Sequence, residues 1–200
     1  NIDGAINVIN AALDNNVERV IGLSTDKAVS PVNIYGATKL GAERLIIQSN
    51  SYRGNLRNTR FSVVRYGNVL GSRGSVIPLF RQQRESGEVT VTNEHMTRFW
   101  ITLPQAVQFV LSSLEEMQGG EIFVPKMPSA LITDLAEVLA PGAKQRVIGT
   151  RPGEKLHEYL LAAEDSQLTY DAGDHYIILS ASRAWGHDDS IYKRLKKVPE

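Results

Sequence analysis

The chain has 200 residues, 42% of them apolar, with 22 basic and 22 acidic side chains and a formal net charge of zero. That is enough apolar content for one large domain or a domain plus a small lobe, and the even charge balance offers no nucleic-acid or membrane-surface partner a field to bind to. There is no cysteine, which excludes a disulfide framework, a thiolate nucleophile and a zinc-thiolate site, and leaves the cytoplasm as the default compartment.

Ile2, Ile6, Ile9 and Leu13 recur at helical spacing with Asp3, Asn7, Asn10 and Asp14 between them. The chain therefore opens inside an amphipathic helix with no convincing cap, and the expectation is a fragment of a longer enzyme. No apolar run approaches the roughly 18 residues of a membrane span, and residues 1–13 lack the basic start and unbroken apolar core of a signal peptide. RVIGLS (19–24) reads as a short buried strand, and Ile34 to about Asn50 as a helix carrying Leu40, Leu45 and Ile46. FSVVRYGN (61–68) is a second strand. EIFVP (121–125) is a third, reached through a helix at about 103–117 in which Thr102 and Gln105 make a capping-box pair.

Strands alternating with helices predict an α/β fold, here the C-terminal part of a doubly wound, Rossmann-type parallel sheet. Residues 1–70 and about 101–125 are assigned to that sheet domain. Residues about 71–100 and 126–200 are assigned to a smaller substrate-binding lobe, because GSRGSVIP, VTVTNEHMTRFW and TRPGEKLHE break into short pieces rich in Gly, Pro and basic residues. No glycine-rich strand-to-helix turn of the dinucleotide-binding kind occurs. GSRGS (71–75) has the wrong spacing and follows a late strand, so it reads as a substrate-side loop. Without that pyrophosphate cradle the chain alone is expected to bind a dinucleotide poorly.

STDKAVSPVNIYGATK (24–39) carries the chemistry. Positions i and i+4 of a helix share a face, so the Tyr35 hydroxyl and the Lys39 ammonium can converge. A free phenol titrates near pH 10, but a cation about 4 Å away at an effective dielectric of about 20 is worth roughly 4 kcal/mol, or about three pK units, which brings a phenol into the range of a general base. Such a base suits removal of an alcohol proton while hydride leaves the same carbon for a nicotinamide. Ser24 or Thr25 can bond the same alcohol, and Asp26 and Lys27 bring two further ionisable groups from the loop before the helix. In doubly wound sheets ligands bind beyond the carboxyl ends of the strands, where the loops after Leu23 and Tyr66 fall. His95, His157, His175 and His187 show no metal-ligand spacing with carboxylates, and no metal is assigned.

STDKAVSPVNIYGATK, FSVVRYGNVLGSRGSVIP, MTRFWITL, GGEIFVPKMPS and RPGEKLHE together resemble the extended short-chain dehydrogenase/reductase superfamily. Within it they are similar to the soluble nucleotide-sugar 4,6-dehydratases that act on UDP-N-acetylglucosamine with inversion at C5 and open pseudaminic acid synthesis. Epimerases and other dehydratases of the superfamily share Tyr-x-x-x-Lys but lack Thr-Asp-Lys. Membrane-anchored relatives keep that triplet but usually carry methionine at the tyrosine position, so Tyr35 points to the soluble type. The resemblance implies one tightly held, recycled NADP. Tyr35, tuned by Lys39, takes the C4 hydroxyl proton, Lys27 removes the C5 proton, and Asp26 helps the C6 hydroxyl leave as water. Thr25 belongs with these catalytic residues. Ser24, Tyr35, Lys39 and Gly67 match cofactor-binding positions, Asn68 matches the residue that bonds the diphosphate-sugar, and Arg73, Thr92, Arg98, Arg151 and Glu154 match the UDP site. A homo-oligomer, dimer or hexamer, paired through the first helix and the helix after Tyr35 is also implied. The competing readings are a UDP-sugar 4-epimerase and a non-catalytic nucleotide-binding fragment.

Overall fold

The computed structural model describes residues 1–53, 58–181 and 189–199. In chain order the elements are α1 (Ile2–Asp14), β1 (Arg19–Thr25), α2 (Ile34–Gln48), β2 (Arg60–Tyr66), β3 (Asn68–Val69) and α3 (Val76–Gln83). They continue with β4 (Glu88–Val91), β5 (Thr97–Ile101), α4 (Leu103–Glu116), β6 (Ile122–Pro125), β7 (Ser129–Leu131) and α5 (Ile132–Leu139). The last are β8 (Lys144–Val147), β9 (Thr169–Asp171), β10 (His175–Ile178) and β11 (Lys196–Lys197). The chain divides into two units: Asn1–Tyr66 with Val107–Lys126 and Tyr159–Glu200, and Gly67–Ala106 with Met127–Glu158.

The first unit is built on a sheet of order β1-β2-β6-β10-β9-β11. β1, β2 and β6 run parallel, as the alternation of strands and helices predicts, and β10, β9 and β11 add antiparallel. Side chains alternate between the two faces of such a sheet. Phe61, Val63, Ile122, Val124 and Ile178 face α1 and α2, where Ile9, Leu13 and Ile47 bury against them. Val64, Phe123 and Ile177 face the other way, toward Phe109, Val110 and Leu114 of α4. The fold is α/β of the Rossmann type. Thr102 and Gln105 do form the expected capping box, with Gln105 N–H donating to Thr102 Oγ1 at 3.3 Å and Thr102 N–H to Gln105 Oε1 at 3.0 Å.

One expectation needs correcting. The residues after 158 were assigned to the lobe, yet they pack with the parallel sheet, because β10 pairs with β6 (Ile177 opposite Phe123, Ile178 opposite Ile122) and buries both isoleucines. β9 and β10 are three and four residues long, too short for their alternation to stand out from the sequence. Exposed Lys196 and Lys197 on the terminal strand β11 discourage further edge-to-edge pairing. His187 lies outside the described residues.

The second unit has a three-stranded sheet, β3-β5-β7, and a parallel pair, β4-β8. Its core is Phe80 of α3, Val89 and Val91 of β4, Trp100 of β5, Met96, and Ile132 and Ala136 of α5. VTVTNEHMTRFW thus supplies two strands whose alternate residues, Val89, Val91, Arg98 and Trp100, point inward.

Candidate functional site

β1 ends in Ser24 and Thr25, both buried, and the chain then makes a single 3-10 turn, Asp26–Ala28. Thr25 caps that turn. Its hydroxyl donates to Asp26 Oδ1 at 2.8 Å, and the Lys27 ammonium donates to the same oxygen at 3.0 Å. The Asp26 side chain is fully buried, whereas that of Lys27 is one-third exposed. Asp26 Oδ2 and Ser24 Oγ are both buried without a hydrogen-bond partner among the described residues. Since nearly all buried polar atoms find partners, two orphaned oxygens at the carboxyl end of a parallel strand mark a place built for a ligand or for chemistry.

α2 starts close by. Asn33 caps it by accepting from Gly36 N–H at 2.8 Å, and a Cβ at Gly36 would overlap the Lys27 carbonyl oxygen. Only glycine lets the helix approach the 3-10 turn this closely. Gly36, Lys39, Glu43 and Ile47 follow one another along the sheet-facing line of the helix. Lys39 reaches down that line and donates from Nζ to Leu23 O at 2.6 Å. Burial lowers its pKa from the usual 10.5, and the charge of Glu43 offsets part of that fall. Tyr35 is 49% exposed, and its hydroxyl has no hydrogen-bond partner among the described residues. The lysine therefore sits on a strand carbonyl rather than on the tyrosine.

The second unit holds a cleft of about 520 Å³. Asn68, Thr92, Arg98, Arg151 and Glu154, which the resemblance assigns to substrate binding, line it. Arg73 is exposed on the turn before α3 and is not among the lining residues. Arg98 is buried, with Nη1 donating to Thr97 O at 2.7 Å and to Leu156 O at 3.2 Å. Arg151 is two-thirds exposed and faces Glu154 at 3.8 Å. Gly67 has a packing reason for its identity, since a Cβ there would come within 2.6 Å of Phe99 Cβ.

Sequence reasoning missed Ser75. It is the N-cap of α3, its hydroxyl is buried without a partner among the described residues, and it lines the cleft beside Val76. The free N–H groups of a first helical turn and the helix dipole favour an anion, and two arginines in the same cleft suit a diphosphate. A Ser followed by an apolar run and a Pro was the available signal. Sequence reasoning also passed over Glu43 and Arg65, whose buried contact is described below. Among the described residues no group of three or more His, Cys, Asp or Glu is placed to hold a metal ion, and no helix is long and apolar enough to cross a membrane.

Comparison with known proteins places these features in context. The family described as "Polysaccharide biosynthesis protein" matches residues 1–180. The UDP-N-acetylglucosamine 4,6-dehydratase (inverting) of Campylobacter jejuni is 54% identical over 180 residues, covering 89% of this chain and 54% of that protein. A protein named UDP-glucose 4-epimerase from Rickettsia canadensis is 43% identical over 203 residues, covering 99% of this chain and 59% of its own length. The X-ray structure of Pen from Bacillus thuringiensis superposes with a TM-score of 0.85 at 43% identity, over 90% of this chain and 59% of that one. The chain thus spans about half the length of the curated relatives it matches.

Proposed function

The chain belongs to the polysaccharide biosynthesis protein family, and on that premise we propose that its protein is a nucleotide-sugar 4,6-dehydratase, a hydro-lyase that removes water from UDP-N-acetylglucosamine. The observation that carries the reading is the buried Asp26, which shares one oxygen with Thr25 and Lys27 and leaves the other without a partner among the described residues. Oxidation or epimerisation at C4 needs one base. Elimination across C5 and C6 needs a second base and an acid, and Lys27 and Asp26 are hydrogen-bonded to each other at the end of the strand that leads to Tyr35.

The residues fit the nicotinamide end of a dinucleotide. Ser24 Oγ awaits a partner, and Lys39 and Tyr35 offer an ammonium and a phenol suited to ribose and alcohol oxygens. When bound, the cofactor supplies a reversible hydride acceptor. Tyr35 takes the proton of the C4 hydroxyl, with Ser24 or Thr25 steadying that oxygen. The resulting C4 ketone acidifies the C5 hydrogen. A proton passed along the Lys27–Asp26 hydrogen bond leaves an amine and a carboxylic acid. The Lys27 amine removes the C5 proton, and the Asp26 acid protonates the departing C6 hydroxyl. Return of the hydride to C6 and reprotonation at C5 from the opposite face would invert that centre, so the net change is loss of one water with no net oxidation or reduction. The cleft of the second unit holds the UDP diphosphate through Arg98, Arg151 and the start of α3, with Glu154 accepting from ribose hydroxyls and Asn68 and Thr92 contributing hydrogen bonds; Arg73 is proposed to contribute from the adjoining turn.

The finer proposals are NADP as the cofactor, a homo-oligomer, a cytoplasmic location, and a product that enters pseudaminic acid synthesis and flagellin glycosylation. Incubating the intact protein with UDP-N-acetylglucosamine in heavy water should give a 4-keto-6-deoxy product with deuterium at C5. Product without solvent deuterium there rules the mechanism out. Lys27→Ala should lose elimination, and normal turnover by that variant would remove Lys27 from its role. The Rickettsia relative favours a second reading, a 4-epimerase. The product mass separates the two, because dehydration removes a water and epimerisation does not.

A further inference from the structure

The sheet-facing line of α2 carries two charges where apolar side chains would normally sit, Lys39 and Glu43. Lys39 is satisfied by Leu23 O. Glu43, fully buried, is gripped by Arg65 of β2, with Nη2 donating to Oε1 at 2.7 Å and Nε to Oε2 at 3.1 Å. Arg65 is itself 1% exposed, and its Nη1 donates to Leu160 O at 2.8 Å and to Asp165 Oδ2 at 3.3 Å. In the parallel register Arg65 stands beside Ser24, so the pair lies next to the end of β1 and on the α2 side of the sheet. One buried guanidinium thus joins β2, the helix that bears Tyr35 and Lys39, and the returning segment at 160–165.

We propose that the Arg65–Glu43 pair is a positioning device for Lys39: the bidentate bond fixes the turn of α2 from which Lys39 reaches β1, and its two opposed charges set the electrostatic balance at the Lys39 ammonium. A buried ion pair is no economical way to stabilise a fold, since an apolar pair of equal volume does as well. What apolar residues cannot do is fix a helix rotationally while placing a compensated carboxylate one turn from a lysine. Among the described residues, the ionisable groups on elements packed around α2 are Asp3 and Asp14 of α1, Asp26 and Lys27 of the 3-10 turn, Arg19 of β1, Arg60, Arg65 and Tyr66 of β2, Tyr52 of the turn after α2, and Asp165, with Tyr35 and Arg44 on α2 itself. Asp26 and Lys27 pair with each other, and Asp165 is engaged by Arg65 and Arg44. Glu43 is the charge that acts on Lys39 directly.

The proposal rests on the dehydratase reading only in making Lys39 functional, so its test is read without turnover. The intact protein labelled with carbon-13 lysine is titrated by NMR, and Lys39 is assigned by loss of its signal in Lys39→Arg. Glu43→Gln removes the negative charge and exposes Lys39 to Arg65, which should lower the Lys39 midpoint by about one pH unit, tenfold in proton affinity. Arg65→Gln leaves Glu43 unopposed and should raise it. If Arg65→Gln does not fold, the neutral double variant Glu43→Gln/Arg65→Gln, which buries no lone charge, should bring the midpoint back toward the wild-type value. A Lys39 midpoint that ignores Glu43→Gln, or is displaced as far in the double variant as in Glu43→Gln, overturns the proposal. In the dehydratase assay the alkaline limb of the pH–rate profile should shift down with Glu43→Gln. If the titration shifts but no dehydration is detected, the charge device stands and the dehydratase reading falls.

Discussion

Glu43 lies one helical turn beyond Lys39 on the sheet-facing line of α2, and its charge holds the Lys39 ammonium against the burial that lowers its pKa. Activity that needs a protonated Lys39 is therefore present below its lowered pKa and lost as pH rises through it. A pH–rate profile of the intact protein should show an alkaline limb that sits below the ordinary lysine value of 10.5.

The same contact has a stability side. Removing one member of a buried ion pair leaves the other charge uncompensated, at a cost of about 3–5 kcal/mol, while replacing both with apolar residues of similar volume is close to neutral. Glu43→Leu should lower urea stability by about that amount, and Glu43→Leu/Arg65→Met should recover most of it. Equal losses in the single and the double variant would mean that the cavity, not the charge, sets the cost.

Gly36→Ala introduces a methyl against the Lys27 carbonyl oxygen, a backbone atom that cannot swing aside. The expected cost is about 1–3 kcal/mol in urea denaturation, despite the better helix propensity of alanine. Because the displaced partner is the turn proposed to carry the acid and base, turnover should fall as well, with little change in UDP affinity.

In the cleft, Arg151 and Arg98 should separate. Arg151 is two-thirds exposed, so Arg151→Ala should weaken UDP binding about tenfold by calorimetry with the melting temperature unchanged. Arg98 is buried and tied to the Leu156 carbonyl, so Arg98→Ala should cost both affinity and stability.

His175 supplies a pH dependence of stability. Burial lowers its pKa, but the carboxylates of Glu116 at 3.4 Å and Asp174 at 2.7 Å outweigh burial and raise it above 6.5. A raised folded-state pKa contributes stability that is full below 6.5 and lost as pH rises through the higher value. Glu116 and Asp174 must stay ionised for this. Thermal melts should show His175→Gln destabilised at pH 6 and nearly level with wild type at pH 9.

The parallel strands and the helices between them were legible because RVIGLS and FSVVRY are short, mainly apolar stretches and the first helix and α4 each carry an apolar stripe. The grouping of the candidate residues was legible too, because Thr25, Asp26, Lys27, Tyr35 and Lys39 fall within sixteen consecutive residues, Ser24 to Lys39, where local spacing alone brings them near one strand end. The cleft was legible mostly through likeness, and Ser75 escaped because its meaning depends on a helix too short to announce itself.

Sequence alone, then, determined the kind of sheet and which short segment, Ser24 to Lys39, brings the proposed acid–base residues to one strand end, since both follow from short-range periodicity and from local order. Tertiary structure decided what those residues touch. Lys39 rests on Leu23 O, Asp26 keeps one oxygen without a partner among the described residues, and Glu43 meets Arg65 across 22 positions of chain. The strands of the tail join the main sheet by the same kind of long-range pairing. Such contacts depend on burial and register between distant segments, which no local pattern encodes.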